Sequence, residues 1–543
     1  MEKVAQYLQE HIAGEVITSK DARKYFSTDG SVFELEPQII VYPRNSSDIR
    51  KVARFSWQLA ERGKHLPITA RGRGSDQSGG SLGSGVMVVF PAHMNKLLEL
   101  DTGKGVVTVQ AGALFSDLQN TLHTHGRFLP PYPSSIDFST IGGAIANNAG
   151  GEKTVKYGQT RKFTKELDVV LANGELVRTV RLSKRELNRK KGLTSFEGEV
   201  YRQLDNLITD NWELIQNISI NTTKNSAGYA LWEVKRKDGS FDLTPLIVGS
   251  QSTLGVITEA VLQTESYNPN PTLISASFEN IDLANQAVEE ILKLGPSALE
   301  IVDKYLLDFI KQNNPNQLVG LVEEPHPAFI LLAEFDDVSD RKQKRRSKRA
   351  VKILKNLARD FSVATDEHER DMLWKIRHSA AAVIWHSNGS KKALPIIEDG
   401  VVPRERLREY ISGIYDLFNK YNLQIALWGH AGDANLHMQP FLDLSKVGDR
   451  QLVFKIMDEY YQMVISLGGS TSGEHNDGRL RAPYLAQLYG NDVYELFKKV
   501  KKIFDPYNIL NPGVKVNVTQ KDVAPLLRKE YSMEHLSDHL PRT

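Results

Sequence analysis

The chain reads as an α+β protein of at least two domains, and three observations carry that reading. A glycine-rich stretch, Pro67 to Gly85, lies between two short apolar runs, Leu66-Pro-Ile-Thr-Ala and Val86-Met-Val-Val-Phe. Strand-like and helix-like segments interleave on both sides of it. At Pro271 the texture changes, and Leu273–Phe278 (strand), Leu283–Leu294 (helix), Leu299–Val302 (strand), Phe329–Phe335 (strand) and a long helix from about Ser339 suggest a split βαβ sheet. A chain of 543 residues is also too long for one core.

Composition narrows the function classes. Hydrophobic residues make up 41% and charged residues 25%, as in ordinary globular proteins. A formal net charge of +2 gives no whole-molecule field for nucleic acid or an anionic membrane. Cysteine is absent, which excludes disulfides, thiolate zinc sites, a thiol nucleophile, a cysteinyl-linked cofactor and an iron–sulfur cluster ligated by this chain. No apolar run approaches the roughly 20 residues that span a bilayer. The opening residues read as an amphipathic helix carrying acids, not a signal peptide. The expectation is a cytoplasmic protein, with peripheral contact at the inner membrane face and a homodimer left open.

The elements justify themselves in order. Gln38–Tyr42 is a strand, and the helix after it has Asn45 or Ser46 as N-cap with Asp48 in its first turn. Strands at Leu66–Thr69, Val86–Phe90 and Val106–Gly112 follow, then a helix at Leu114–Thr124. The loop holds Gly72, Gly74, Gly79, Gly80, Gly83 and Gly85 with Ser75 and Ser78 among them. Glycine lets a backbone wrap an anion with successive N–H groups, and Arg71 and Arg73 add charge; a flexible linker is the alternative. Pro130–Gly151 begins with prolines that fix an extended entry, and Ser139 or Thr140 can cap a helical turn from Ile141. Gly142, Gly143, Ala144 and Ala146 leave no bulk there, either for a close ligand or for tight helix–sheet packing. Asn173-Gly174 predicts a hairpin turn. Asn225–Leu231 and Ile247–Ala260 bring further small-residue turns.

These stretches, in this order, resemble the flavin-binding domain of the vanillyl-alcohol-oxidase superfamily. The branch they resemble contains glycolate oxidase flavin subunits, D-lactate dehydrogenases and D-2-hydroxyglutarate dehydrogenases. The resemblance spans roughly Pro37 to Gly513 and implies a PCMH-type, two-subdomain FAD-binding domain, then an α+β, ferredoxin-like substrate domain. The implied boundaries are an N-terminal helical extension (1–35), the FAD domain (36–267), the substrate domain (268–515) and a polar tail (516–543). The resemblance places FAD against Arg71, Gly72, Gly74, Ser75, Asp76, Gln77 and Ser78. It adds Pro133, Ser134, Ser135, Thr140, Gly142, Gly143, Ala146, Asn147 and Gly150, then Tyr157, Gly158, Gly255, Ile257 and Asn511. The first loop carries no histidine, so the FAD is expected to be non-covalent unless His93 or another histidine stands in.

Three clusters would carry the chemistry. In Leu373-Trp-Lys-Ile-Arg-His, Trp374 and Arg377 share a helix face. Arg377 is a surface ion-pair residue or, by the resemblance, the fork that grips a substrate carboxylate. In Leu427–Pro440 a Gly429/Gly432/Asp433 turn between apolar strands lets His430 and His437 meet. The third cluster is Ser472–Arg481, with Glu474 and His475. Two histidines and a distant carboxylate suit a catalytic divalent ion, Zn or Mn, or else form ordinary hydrogen bonds. The resemblance puts a metal on His430, His437 and Glu474 and makes His475 the base. Ala434, Gln439 and Asn476 depart from the related pattern and put the substrate's far end in question.

The function implied is FAD-dependent oxidation of a D-2-hydroxy acid, with electrons passed to a separate iron–sulfur protein, electron-transfer flavoprotein, cytochrome or quinone. Rivals are an enzyme of the same fold for an alditol or an alkyl-glycerone phosphate, a metal-dependent hydrolase, and a non-catalytic flavoprotein scaffold. The basic run Arg341–Arg349 reads as a solvated helix face, not a nucleic-acid patch, because no aromatics interleave it.

Overall fold

A computed structural model describes residues 2–364, 366–380 and 390–536. Three larger sheets organise them. In the first, Ile39–Tyr42, Val86–Val89 and Ile68–Arg71 run parallel as neighbours. The strands Ile39–Tyr42 and Val86–Val89 are buried along their whole length, as parallel strands covered on both faces require. Parallel neighbours cannot be joined by a tight turn, so the glycine segment is the crossover between Ile68–Arg71 and Val86–Val89. Asn45 caps the helix Ser46–Glu61 by accepting from the Asp48 N–H at 3.2 Å.

The second sheet is antiparallel, in the order Leu97–Asp101, Val106–Gln110, Val256–Gln263, Thr164–Val170 and Leu176–Thr179. Its last two strands meet at Asn173-Gly174, where Gly174 takes φ +87°. One core joins the two sheets, and Val493, Leu496, Phe497 and Val500 of the helix Asn491–Phe504 are part of it. That helix belongs to the second domain in sequence yet buries its apolar face in the first.

The third sheet orders Asp360–Ala364, Thr272–Phe278, Phe329–Phe335 and Ala298–Asp303 as the expected split βαβ unit, and the hairpin Leu427–His430/Asn435–Met438 extends it. The helix Asp340–Leu357 turns Gln343, Ser347, Ala350 and Leu354 inward, which leaves most of its basic residues facing solvent.

Two expectations at the ends are corrected. The stretch 1–35 is not only a helical extension, because Glu15–Ile17 pairs with Ile39–Tyr42 as the edge of the first sheet. The segment 516–536 is not a free polar tail, since Tyr531, Met533 and Leu536 are buried. Arg528 Nε donates to Phe33 O (2.9 Å), Tyr531 OH donates to Gly30 O (2.9 Å), and His535 lies 3.0 Å from Gly74 O in the glycine loop. Residues 537–543 of the expected tail lie outside the described residues.

A buried carboxylate in the third sheet makes stability depend on pH. Asp303 accepts from the N–H groups of Leu306 and Leu427 and from Tyr415 OH. Burial nevertheless raises its pKa from 3.8 to about 7. A folded pKa above the unfolded one means that stability is full below about pH 4 and is lost as pH rises through 7, by about 4 kcal/mol. Asp303→Asn keeps a capping oxygen and is expected to flatten the fall of melting temperature between pH 5 and 8. A variant whose melting temperature falls as steeply as that of the parent contradicts this.

Candidate active site

The loop Ser470–Arg481 is the hinge of the site, because its two sides serve different domains. On one side Asn476 Nδ2 donates to Asn147 O (3.1 Å) and Gly249 O (2.9 Å), the Gly478 N–H to Gln251 Oε1 (2.8 Å) and the Arg479 N–H to Ser78 O (2.9 Å). The other side presents Glu474 and His475 to the third sheet. Asp399 shapes the turn by accepting from Ser472 Oγ at 2.7 Å and from the N–H groups of Glu474 and His475 at 3.0 and 2.7 Å. Asp399, Ala434 and Asn476 all have positive φ (+75°, +52° and +70°). Such strain in non-glycine residues persists where the surroundings over-determine it, often at functional sites.

Three histidines converge on one oxygen. Nε2 of His430, His437 and His475 lies 3.0, 3.3 and 3.8 Å from Glu474 Oε1. The hairpin register places His430 opposite Asn435 and His437 opposite Trp428, so both imidazoles reach the same face, with ring centroids 5.2 Å apart. His475 stacks on His437 at 5.1 Å. Each Nδ1 faces a carboxylate, and two of them share one. Glu300 Oε1 is 2.8 Å from His430, and Glu398 Oε2 is 3.3 Å from His437 and 2.6 Å from His475. Glu398 also pairs with buried Arg481.

The charges are strongly coupled. Burial would lower His430 and His475, but Glu300 and Glu474 raise the first to about 9, and Glu398 and Asp399 raise the second to about 9. Burial would raise Glu474, but His430 and Lys224 hold it well below the usual carboxylate range. Lys224, fully buried, places Nζ 2.7 Å from Glu474 Oε2 and 3.3 Å from Asn435 Oδ1. Arg377, 3% exposed, donates from Nε to Glu300 Oε2 at 2.7 Å. Among the described residues its two terminal nitrogens have no hydrogen-bond partner.

On the first domain's wall, several of the residues expected to meet a cofactor bond to one another or to their neighbours. Asn147 Nδ2 donates to Asp76 Oδ1 (2.9 Å), Gln251 Nε2 to Asn147 Oδ1 (2.9 Å), and Asn511 Nδ2 to Gly80 O (2.7 Å) and Gln251 O (2.8 Å). Ser135, Ser139 and Ser75 form a hydroxyl chain, and Thr140 caps Ile141–Asn147. Two residues face elsewhere. Arg71 lies below the loop, donating from Nη2 to Thr28 O (2.7 Å) with its guanidinium over the Phe26 ring. Tyr157 donates to Asp336 of the third-sheet domain (3.0 Å). The walls meet closely, since a Cβ on Gly150 would lie 2.5 Å from Glu474 Oε2.

Sequence reasoning missed Lys224, Glu300, Glu398 and Asp399. Lys224 stands directly before the small-residue turn Asn225–Leu231. Glu300 carried a usable signal, a lone acid inside the apolar strand run Ala298–Val302.

Comparison with known proteins makes this two-domain chain an FAD-linked oxidoreductase. The "FAD binding domain" model matches residues 37–180, and the "FAD linked oxidases, C-terminal domain" model matches 268–514. The chain is similar to "Glycolate oxidase subunit GlcD" of Bacillus subtilis, 31% identical over 92% of each chain. It is 28% identical to "D-2-hydroxyglutarate dehydrogenase" of Haemophilus influenzae over 93% of its own length, and it spans half of that longer relative. It shares the fold of 4-ethylphenol oxidase from Gulosibacter chungangensis with TM-score 0.65 and 16% identity, covering 96% of this chain and 98% of that one. The chain belongs to the family of FAD-linked oxidases.

Proposed function

We propose that the protein oxidises a D-2-hydroxy acid to the 2-oxo acid and passes the electrons to a separate acceptor. The observation that carries this is the buried Arg377, with its open guanidinium edge, sharing Glu300 with a histidine–glutamate cluster. A buried arginine fork suits a carboxylate, and the cluster beside it suits the hydroxyl on the neighbouring carbon. The names of the relatives above support the substrate class.

The donor set fits a divalent ion. Asp399, His437, Glu474 and His475 each offer a ligand atom within 4.8 Å of the others. The oxygens of Asp399 already accept from Ser472 Oγ, from the N–H groups of Glu474 and His475 and from Asn435 Nδ2, whereas His430 Nε2 faces Glu474 Oε1. This supports His430, His437 and Glu474 as ligands. A bound ion would polarise the substrate hydroxyl and lower its pKa. The glycine crossover, Pro133–Gly150 and Asn511 would hold FAD without a covalent link, and FAD when bound accepts the α-hydride at N5.

The chain's own residues then have defined tasks. Arg377 holds the carboxylate, and His475 takes the hydroxyl proton as the α-hydride leaves, which completes a two-electron oxidation. In a site without a metal the carboxylate neighbours of His475 keep it protonated, and a cation in the cluster would drive that proton off. The test is anaerobic bleaching of the flavin by D- and L-lactate, glycolate, malate and 2-hydroxyglutarate, with and without chelator. A colourless protein, or flavin that none of these acids bleaches, overturns the reading.

Gly150→Ala probes the contact between the two walls. Its φ is not in the left-handed region, so the added methyl acts through space alone and pushes against Glu474. Turnover is expected to fall about 10-fold, the scale on which small misplacements act, while FAD absorbance per protein stays unchanged. Unaltered turnover would show that Glu474 has room to move.

A further inference from the structure

We propose that Glu300 is a positioning residue that couples the carboxylate clamp to the histidine cluster. The inference deepens the function proposed above and rests on it. Glu300 lies in the fully buried strand Ala298–Asp303 and is itself 1% exposed. Its two oxygens are divided between two machines. Oε2 accepts from Arg377 Nε at 2.7 Å, and Oε1 lies 2.8 Å from His430 Nδ1. His430 in turn faces Glu474 Oε1 through Nε2 at 3.0 Å.

Each bond has a separate consequence. Engaging Arg377 through Nε turns the remaining pair of nitrogens outward as one bidentate edge for a carboxylate. Accepting from Nδ1–H fixes the imidazole so that Nε2 points to Glu474, the arrangement by which carboxylates orient metal-binding histidines. Because both bonds leave one rigid carboxylate on a sheet, a movement of either partner is felt by the other. The next site-facing acid on the neighbouring strand, Glu334, shows that such a residue can have a different task. It pairs with Lys153 and accepts from Ser297 Oγ (2.7 Å), joining the two domains away from the histidines.

The test uses the full-length flavoprotein with Glu300→Gln, which keeps shape but can accept from only one of the two donors. The expected result is a KM for the 2-hydroxy acid and a Kd for oxalate each raised about 10-fold. Affinity for Zn²⁺ or Mn²⁺, read by competition with a fluorescent chelator, should fall 10- to 100-fold, with the flavin spectrum retained. Glu300→Asp keeps the charge but shortens the reach, so it should recover one of the two effects and not both. If Glu300→Gln does not retain flavin, Glu300→Asp decides by whether the two effects separate. Oxalate and metal affinities all within twofold of the parent in a folded variant overturn the proposal, as does a loss of melting temperature alone. Should the parent protein fail to bleach with any hydroxy acid, the functional reading falls, while the oxalate and metal measurements still judge Glu300.

Discussion

Replacing His475 with alanine is expected to slow flavin reduction by the hydroxy acid on the order of 10²-fold or more, with FAD still bound in full. The selectivity of this loss follows from how the residue is held. Its backbone N–H, not its ring, donates to Asp399, so the loop that also grips Asn147, Gly249 and Gln251 keeps its shape. Glu398 retains Arg481 and His437 as partners, so no carboxylate is stranded. Of the three imidazoles this one is the most exposed, with a side-chain exposure of 28% against 3% for His430 and 7% for His437. A partly exposed imidazole beside two buried ones is placed to meet substrate. Rapid-reaction absorbance under anaerobic conditions measures the step, and turnover equal to the parent's removes His475 from the chemistry. A simultaneous loss of metal affinity would instead mark it as a ligand.

The fold was largely legible because its signals are local. Continuous apolar runs announced the parallel strands, Asn173-Gly174 its hairpin, and a helix–strand alternation the split βαβ sheet. The hairpin histidines were legible too, since the seven-residue spacing of His430 and His437 brackets a single turn. What stayed hidden depends on contacts between distant segments. Lys224 meets Glu474 only because two domains close on each other, and no periodicity encodes that. Glu300 and Glu334 stood in plain view as acids inside fully buried strands, yet an isolated charge in an apolar run does not say which partner neutralises it. Arg71 shows the converse. Its place beside a glycine loop suggested anion binding, but the chain turns its guanidinium toward the N-terminal segment. The ends misled for the same reason, because the polar residues of 516–536 conceal a few anchors, Arg528, Tyr531 and His535, whose partners lie near the other terminus and in the glycine loop.

Lys224→Met is expected to be the most damaging single change outside the histidines. The ammonium is fully buried and its nearest partner is Glu474 Oε2 at 2.7 Å, with Asp433 at 3.6 Å. Burial alone would lower its pKa, but those two carboxylates raise it, so it remains a fixed cation across the working range of pH. Removing one member of a buried ion pair leaves the other charge without compensation, and the penalty is on the order of 3 kcal/mol. Methionine fills much of the volume, so packing loss adds little. Part of the penalty is relieved if Glu474 swings wholly toward the imidazoles, but that movement takes Oε2 away from the Gly150 wall and spoils the geometry the reaction needs. Stability and turnover are therefore expected to fall together, the second by at least 10-fold, whereas Glu474→Gln in the same background should restore part of the stability and none of the activity. Denaturant midpoints and anaerobic flavin reduction on the single and double variants separate the two effects. A Lys224→Met protein as stable as its parent would mean that the histidines alone neutralise Glu474, and that the lysine holds Asn435 and the hairpin turn instead.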